Sequence, residues 1–316
     1  MRFYPSAQAL SIVITLGLVS LPGVERRAVA ADQPAANGAT SQDPAEKPTE
    51  SPATARRRTV AEEIDRCLDN AREIADHSTR FAELRAAATA LTAKLEFNAV
   101  ASGKLEEAAK RSAAAADDST ERAAKILRDG LRSVRDLLRF EPTMEAPLPE
   151  GFPEPMPVGE IGIKVYPAYR MARAVDGDEG RAFNQLFAHI QRNNIEMTAP
   201  VEMTMDKNEA GEMRSLDMAF LYQSRELGKP GVDRSVKVQD ISPLTTVSLG
   251  MRGSTDRKRI ADAEKRLSAW LTAHANEYVA AGSVRVMGYN SPFVPESLRY
   301  FEVEIPIKPA VGRPGN

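Results

Sequence analysis

One cysteine, three histidines and one tryptophan in 316 residues leave little material for several kinds of chemistry. Cys67 has no cysteine to pair with inside the chain and no companion with which to hold a thiolate metal site. Charge of one sign is also missing: the formal net charge is −2, so no basic footprint points to nucleic acid as a partner. There is no glycine-rich phosphate loop, no His-Glu-x-x-His, no Gly-x-Ser-x-Gly and no cysteine in local company with a histidine. These absences remove the familiar nucleotide-binding, zinc-hydrolase and serine-hydrolase readings.

Long hydrophobic runs are scarce too. The apolar run at residues 9–24 is short for a membrane span, which needs about 20 residues. It follows Arg2 and precedes Ala28-Val29-Ala30, the pattern of a secretory leader at residues 1–30 cut after Ala30. The expectation is a periplasmic or secreted protein that keeps no stable membrane span. Residues 31–55 contain no large apolar side chain, so they have nothing to bury against the entropy of ordering. With the solvated Arg56-Arg57-Arg58 run, they read as a disordered tether over 31–58.

Residues 59–140 change character. Apolar residues recur at three and four, as in Ile64, Cys67, Leu68, Ala71 and Ile74, then Phe81, Leu84, Ala88, Leu91 and Leu95, then Ile126, Leu127, Leu131, Val134 and Leu138. Three or four amphipathic helices are expected, broken at Asp76-His77-Ser78-Thr79, near Gly103 and at Asp117-Asp118-Ser119, with Asp118 and Glu121 as a capping-box variant. His77 falls in a polar turn. The alanine-rich stretch Ala113 to Ala116 offers little apolar area, so the helices must pack on each other, on a second copy or on the C-terminal half. A coiled-coil-like spacer, a homo-oligomerising module and a bundle with no partner all fit. Six prolines in residues 141–160 then predict an extended linker.

Beyond it the periodicity becomes mixed. Residues 161–174 read as a strand bent at Pro167, 178–192 as a helix, and 195–205 with 213–223 as a hairpin. A second round follows, with strand 236–252, helix 254–276, and strands 283–290 and 298–307. The expected class is α+β: a duplicated strand-helix-strand-strand unit forming a curved antiparallel sheet or barrel with two helices, over residues 161–308. Residues 309–316 are a tail.

The segment Asn193 to Met205 is the most informative. From Ile195 its apolar residues alternate with Glu196, Thr198, Glu202 and Thr204, and Pro200 marks an edge or bulge. Ile195 and Met197-Thr198-Ala199-Pro200-Val201, after a helix carrying Phe183, Leu186, Phe187 and Ile190, resemble the SOUL haem-binding family. So do Val165-Tyr166-Pro167 with Tyr169 and Ala172, and Gly288-Tyr289-Asn290-Ser291-Pro292 with Glu302-Val303. The resemblance runs from about Val158 to Lys308 and implies binding of haem, another tetrapyrrole or a similar planar hydrophobic ligand.

Such a ligand needs an apolar slot, cations for its acidic groups and, for iron, an axial side chain. The candidates are Phe187, Met197 and Met203 for the slot, Lys164, Arg173 and Arg181 for the cations, and His189 as axial metal ligand. The Phe183–Ile190 stripe places His189 on the helix flank, accessible to solvent or ligand, whereas His274 sits near its own stripe's centre and reads as a hydrogen-bonded histidine near the helix end. Met203, Met205, Met213 and Met218 serve either as core filler or as a permissive pocket wall. The central expectation is an apolar recess within the doubled unit. Two other readings stand beside it: a small-molecule hydrolase using Glu196 and Glu202, and a non-catalytic interaction protein acting through its helices.

Overall fold

The computed structural model describes residues 52–174 and 178–310. The expected leader, most of the tether and most of the tail lie outside the described residues. Four helices come first: α1 (Pro52–Glu73), α2 (His77–Lys94), α3 (Ala99–Ala116) and α4 (Thr120–Leu138). Helix α1 starts seven residues before the expected boundary at 59. Proline is well suited to a helix's first turn, and the alanines and arginines after it are good helix formers without large apolar side chains. Asp76, Asn98 and Ser119 cap the next three helices by accepting from the backbone N–H three residues on. The cap of α4 is therefore Ser119, not Asp118.

The four helices bury their stripes on one another, with Ile64, Leu84, Leu91, Leu105, Leu127 and Leu131 nearly inaccessible. The small residues of α3 contribute approach rather than area. A Cβ on Gly130 of α4 would lie 2.4 Å from the Ala108 Cβ, so this crossing is closer than side chains elsewhere permit. A second copy is not needed to cover these faces.

Ten strands follow in one sheet among the described residues, ordered β1-β7-β10-β9-β3-β4-β2-β6-β5, with β8 on β10. Their ranges are β1 (Ile161–Tyr166), β2 (Tyr169–Ala174), β3 (Val201–Lys207), β4 (Met213–Leu221), β5 (Gly231–Asp233), β6 (Val236–Ile241), β7 (Leu244–Arg252), β8 (Tyr278–Ala280), β9 (Val284–Gly288) and β10 (Tyr300–Pro309). Two helices, α5 (Glu179–Arg192) and α6 (Arg257–Ala273), pack on one face.

The duplication is visible in the pairing. Each expected long strand is two strands, broken at Pro167 or Pro243, and each crosses between halves: β1 pairs β7 while β2 pairs β6 and β4. The halves meet where β3 runs antiparallel to β9, Met203 opposite Val286. The segment from Ile195 to Pro200 is not strand; β3 begins at Val201, after the cis Ala199–Pro200 bond.

Side chains alternate across the sheet. Val247, Leu249, Val286, Phe301, Val303 and Ile305 face α5 and α6, while Thr246, Ser248, Arg285, Glu302 and Glu304 face the other way, and both sets are buried. The second face is covered by residues 141–160. This expected linker is a strap: Ala199 N–H donates to Pro147 O (3.0 Å), Glu150 N–H to Gln223 O (2.8 Å) and Gly159 N–H to Gly250 O (2.8 Å). It lies so near β7 that a Cβ on Gly250 would fall 2.6 Å from the carbonyl oxygens of Met156 and Pro157. Its other edge meets the helices, where buried Asn98 accepts from Ala101 N–H and donates to Val158 O at 2.7 Å.

Asn98 thus clasps helix and strap together. Replacing it by alanine removes a cap and leaves a buried carbonyl without a donor, so Asn98→Ala is expected to lower unfolding stability by about 2 kcal/mol. The reading is a lower denaturant midpoint at unchanged slope, and a loss under about 0.5 kcal/mol would show that the clasp does not hold.

Candidate functional site

The strap-covered face carries the chain's densest group of buried charge. Its residues lie on seven strands because the pleat sends every second side chain inward there. Glu302 and Glu304 of β10 are fully buried. Lys164 of β1 donates to Glu302 Oε2 at 2.7 Å, Tyr289 O–H donates to the same oxygen, and the strap's Met156 N–H donates to Oε1 at 2.7 Å. Glu304 Oε1 accepts from Tyr166 O–H and from Ser248 Oγ (3.0 Å). Glu202 of β3 accepts from Arg285 at 2.9 Å and from Tyr169 O–H at 3.1 Å. Arg173 stands 3.3 Å from Asp217.

Four carboxylates here face three cations, so the group leans negative. Some of its atoms make no hydrogen bond: Glu304 Oε2 and Arg285 Nη1, which are ion-paired with each other at 3.4 Å, Asp217 Oδ1, and Nε of Arg285. Burial, reinforced by the nearby carboxylates, keeps Tyr166, Tyr169 and Tyr289 neutral and able to donate. Burial works against the charge of Arg285, but Glu202 and Glu304 outweigh it and hold the guanidinium protonated. Burial also raises Glu304, with Glu302 pushing the same way and Arg285 opposing.

An aromatic ring already sits on this face. Phe152 of the strap meets Tyr166 and Tyr169 edge-on, with centroids 5.0 and 5.1 Å apart. The strap thus places a ring and an N–H donor over the carboxylates. Among the described residues, the ring of Phe152 and the backbone of the strap occupy the space over this face.

The expected site residues divide among three places. Lys164 and Arg173 belong to the charged face. Met203 is buried under the helices, with Phe187 and Met197 partly buried against the same core. Arg181 lies on a groove beside Arg192 and Arg234. They do not converge on one ligand. Met205, Met213 and Met218 are likewise buried core rather than pocket wall.

His189 is a correction. It is 2% exposed, because α5 buries Ala182, Leu186, His189 and Ile190 and leaves Phe183 38% exposed. The buried arc is rotated away from Phe183, and on the histidine's flank Tyr222, just after β4, and Asp233 of β5 offer polar partners. His189 Nδ1 lies 2.6 Å from Asp233 Oδ2 and Nε2 lies 2.8 Å from Tyr222 O–H. The His189 bond, then Arg192, draws Asp233 down to about 2, while burial pushes Tyr222 up to about 12. Both ring nitrogens are engaged, so His189 presents no lone pair to iron. His274 caps α6 with Nδ1 at 2.8 Å from Trp270 O, as its stripe implies. The donor set does not fit an axially ligated haem iron, and among the described residues no cluster of three or more His, Cys, Asp or Glu could hold a metal. Glu196 is exposed while Glu202 is buried and ion-paired, so the two do not form an acid–base pair.

Several residues of the charged face are among those that carry the family resemblance. Tyr166, Tyr169, Tyr289 and Glu302 stand in the quoted motifs and come together here. Glu304, Arg285 and Phe152 were missed. An alternating Glu302-Val303-Glu304-Ile305 reads as a solvated strand face, and only the central position of β10, between β7 and β9, reveals that both sides are covered.

A duplicated α+β domain with this face defines the class. Residues 159–306 match the model of the SOUL heme-binding protein family, so the C-terminal half of the chain is a SOUL-family domain. No curated protein matches the chain. Among solved structures, the EcmrR C-terminal domain is similar at 17% identity and a TM-score of 0.37, over 47% of this chain and 97% of that one. A hydrolase from Listeria innocua is similar at 10% identity and 0.36, over 48% and 94%. The protein SAV2435 bound to tetraphenylphosphonium is similar at 10% identity and 0.30, over 47% and 94%. Likenesses of this degree carry no argument about activity. Among the described residues no helix is long and apolar enough to cross a membrane.

The raised Glu304 has a consequence for stability. The native state holds that proton more tightly than an unfolded chain titrating near 4.5, so stability falls as pH climbs from 4.5 through the raised native value. Glu304→Gln is expected to flatten that descent in melting temperature measured from pH 4.5 to neutrality. An unchanged profile would contradict the assignment.

Proposed function

We propose that this chain is a non-catalytic binding protein for a flat, ring-bearing ligand, and that the strap-covered face is its seat. The observation that carries this is Phe152, whose ring lies between two neutral tyrosines while Met156 N–H, four residues on, satisfies Glu302. The strap makes the contacts that such a ligand would make. It is irregular and only partly buried along most of its length, and hydrogen bonds and ring contacts rather than a continuous apolar core hold it down.

Charge selects the ligand. Once the strap lifts, Glu302 Oε1 needs a donor, and Glu304 Oε2 makes no hydrogen bond beyond its 3.4 Å ion pair with Arg285. A planar molecule with N–H donors or positive charge meets both needs, whereas a dianionic one sets its carboxylates against Glu302 and Glu304. The family match favours a second reading in which the planar ligand is haem itself or another tetrapyrrole. The leader-like residues 1–30 support the cell envelope as the place of action.

Titrating the full chain with a planar cationic dye, metal-free protoporphyrin and hemin separates the readings. The dye is expected to saturate, and Phe152→Ala is expected to tighten it roughly tenfold by removing the competing ring. If no ring compound saturates with either protein, the seat is wrong. A saturable Soret shift with hemin that is abolished in His189→Ala but untouched by Phe152→Ala would establish haem at α5 instead.

A further inference from the structure

The helical half has a site of its own. A groove of about 600 Å³ runs between α1, α2 and α4 on the bundle's surface. Of its fifteen lining residues seven are arginine or lysine and three are carboxylates, on a chain whose formal charge is −2. The groove is therefore locally basic on a chain that is slightly acidic as a whole. Its positive charge comes largely from α4, where Arg122, Lys125, Arg128, Arg132 and Arg135 recur at three and four along one side of the helix.

The acids present do not neutralise it. Asp65 is held between Arg135 (3.0 Å) and Arg139. Lys125, Arg128 and Arg132 share Asp129 at 2.7, 3.7 and 3.9 Å, three cations to one carboxylate. Arg72 and Arg122 have no side-chain hydrogen bond or ion pair among the described residues. Arg128 Nε makes no hydrogen bond, and its acid, Asp129 3.7 Å away, is shared with two other cations. Ser119, the cap at the positive end of α4, lies in the same wall. The groove is far larger than a single phosphate.

We propose that this groove binds an anion bearing two or more phosphate groups, with Arg72, Arg122 and Arg128 as its donors. Guanidinium forks suit phosphate oxygens, and clustered arginines hold them by paired charge-assisted hydrogen bonds. The same chemistry is offered by a free oligophosphate and by clustered phosphate headgroups on a lipid surface.

Calorimetric titration of the full chain with inorganic tripolyphosphate at low salt tests it. Saturable binding is expected, with orthophosphate at least tenfold weaker. Arg72→Gln and Arg122→Gln are each expected to weaken tripolyphosphate by about tenfold, the fold-change of one charge-assisted hydrogen bond, without moving the melting temperature. Lys104→Gln/Arg111→Gln, on the α3 side of a second basic cleft that shares only Lys125 with this groove, is expected to leave it unchanged. No saturable binding, or an equal loss in that control, overturns the proposal. Flotation with phosphatidic acid vesicles, with and without tripolyphosphate as competitor, distinguishes the sources: co-flotation that tripolyphosphate abolishes assigns the headgroup, and absence of co-flotation assigns a soluble ligand.

Discussion

A carboxylate without water must be given donors by the protein, and Glu302 is the place where this chain meets that demand. Its partners come from three separated parts of the sequence: Lys164 on β1, Tyr289 after β9, and Met156 in the proline-rich segment. Removing a partner from a buried charge of this kind costs about 3–5 kcal/mol. The polar core therefore fixes which strands meet and where the strap lies. It also explains why the six prolines of residues 141–160 do not make a free spacer: their extended backbone is laid along the sheet by specific donors and acceptors.

That arrangement divides the domain into two unlike faces. Under α5 and α6 the sheet is packed with aliphatic, methionine and aromatic side chains, and that core is closed. On the strap side, tyrosines and paired charges are covered by a segment with no regular structure. Ligand exchange is cheaper on the second face, because hydrogen bonds and the two ring contacts of Phe152 are lost and regained there, whereas opening the first would expose a continuous apolar core. The helical bundle supports the strap through Asn98 and through Phe140 stacked on Tyr300, so the two halves of the chain share one structural economy.

Much of the architecture was legible beforehand because it is periodic. The helices follow spacings of three and four, and the doubled strand-helix-strand-strand order follows from alternation with a bend at Pro167, while the break at Pro243 was not read from the sequence. The site was less legible, because it depends on which faces are covered. Glu202, Glu302 and Glu304 alternate with apolar residues as solvated glutamates do, and nothing local announces a strap arriving from residues 141–160. His189 shows the same limit: the helix wheel ranked Phe183 and Phe187 as inward, but Tyr222, just after β4, and Asp233 of β5 turn the arc toward the histidine. Ser119 in place of Asp118 is a shift of the size that end effects produce, whereas the start of α1 at Pro52, seven residues early, reflects helix formers that carry no apolar stripe.

The central claim is that the strap is a removable occupant of the charged face. Native-state hydrogen exchange at the Met156 amide, compared with the Val303 amide in β10, tests it most directly. If the claim holds, Met156 exchanges through a local opening well below the free energy of global unfolding, and loses protection when a ring ligand binds while Val303 keeps its own. If Met156 exchanges only when Val303 does, the strap is permanent core and the face beneath it is not a binding site.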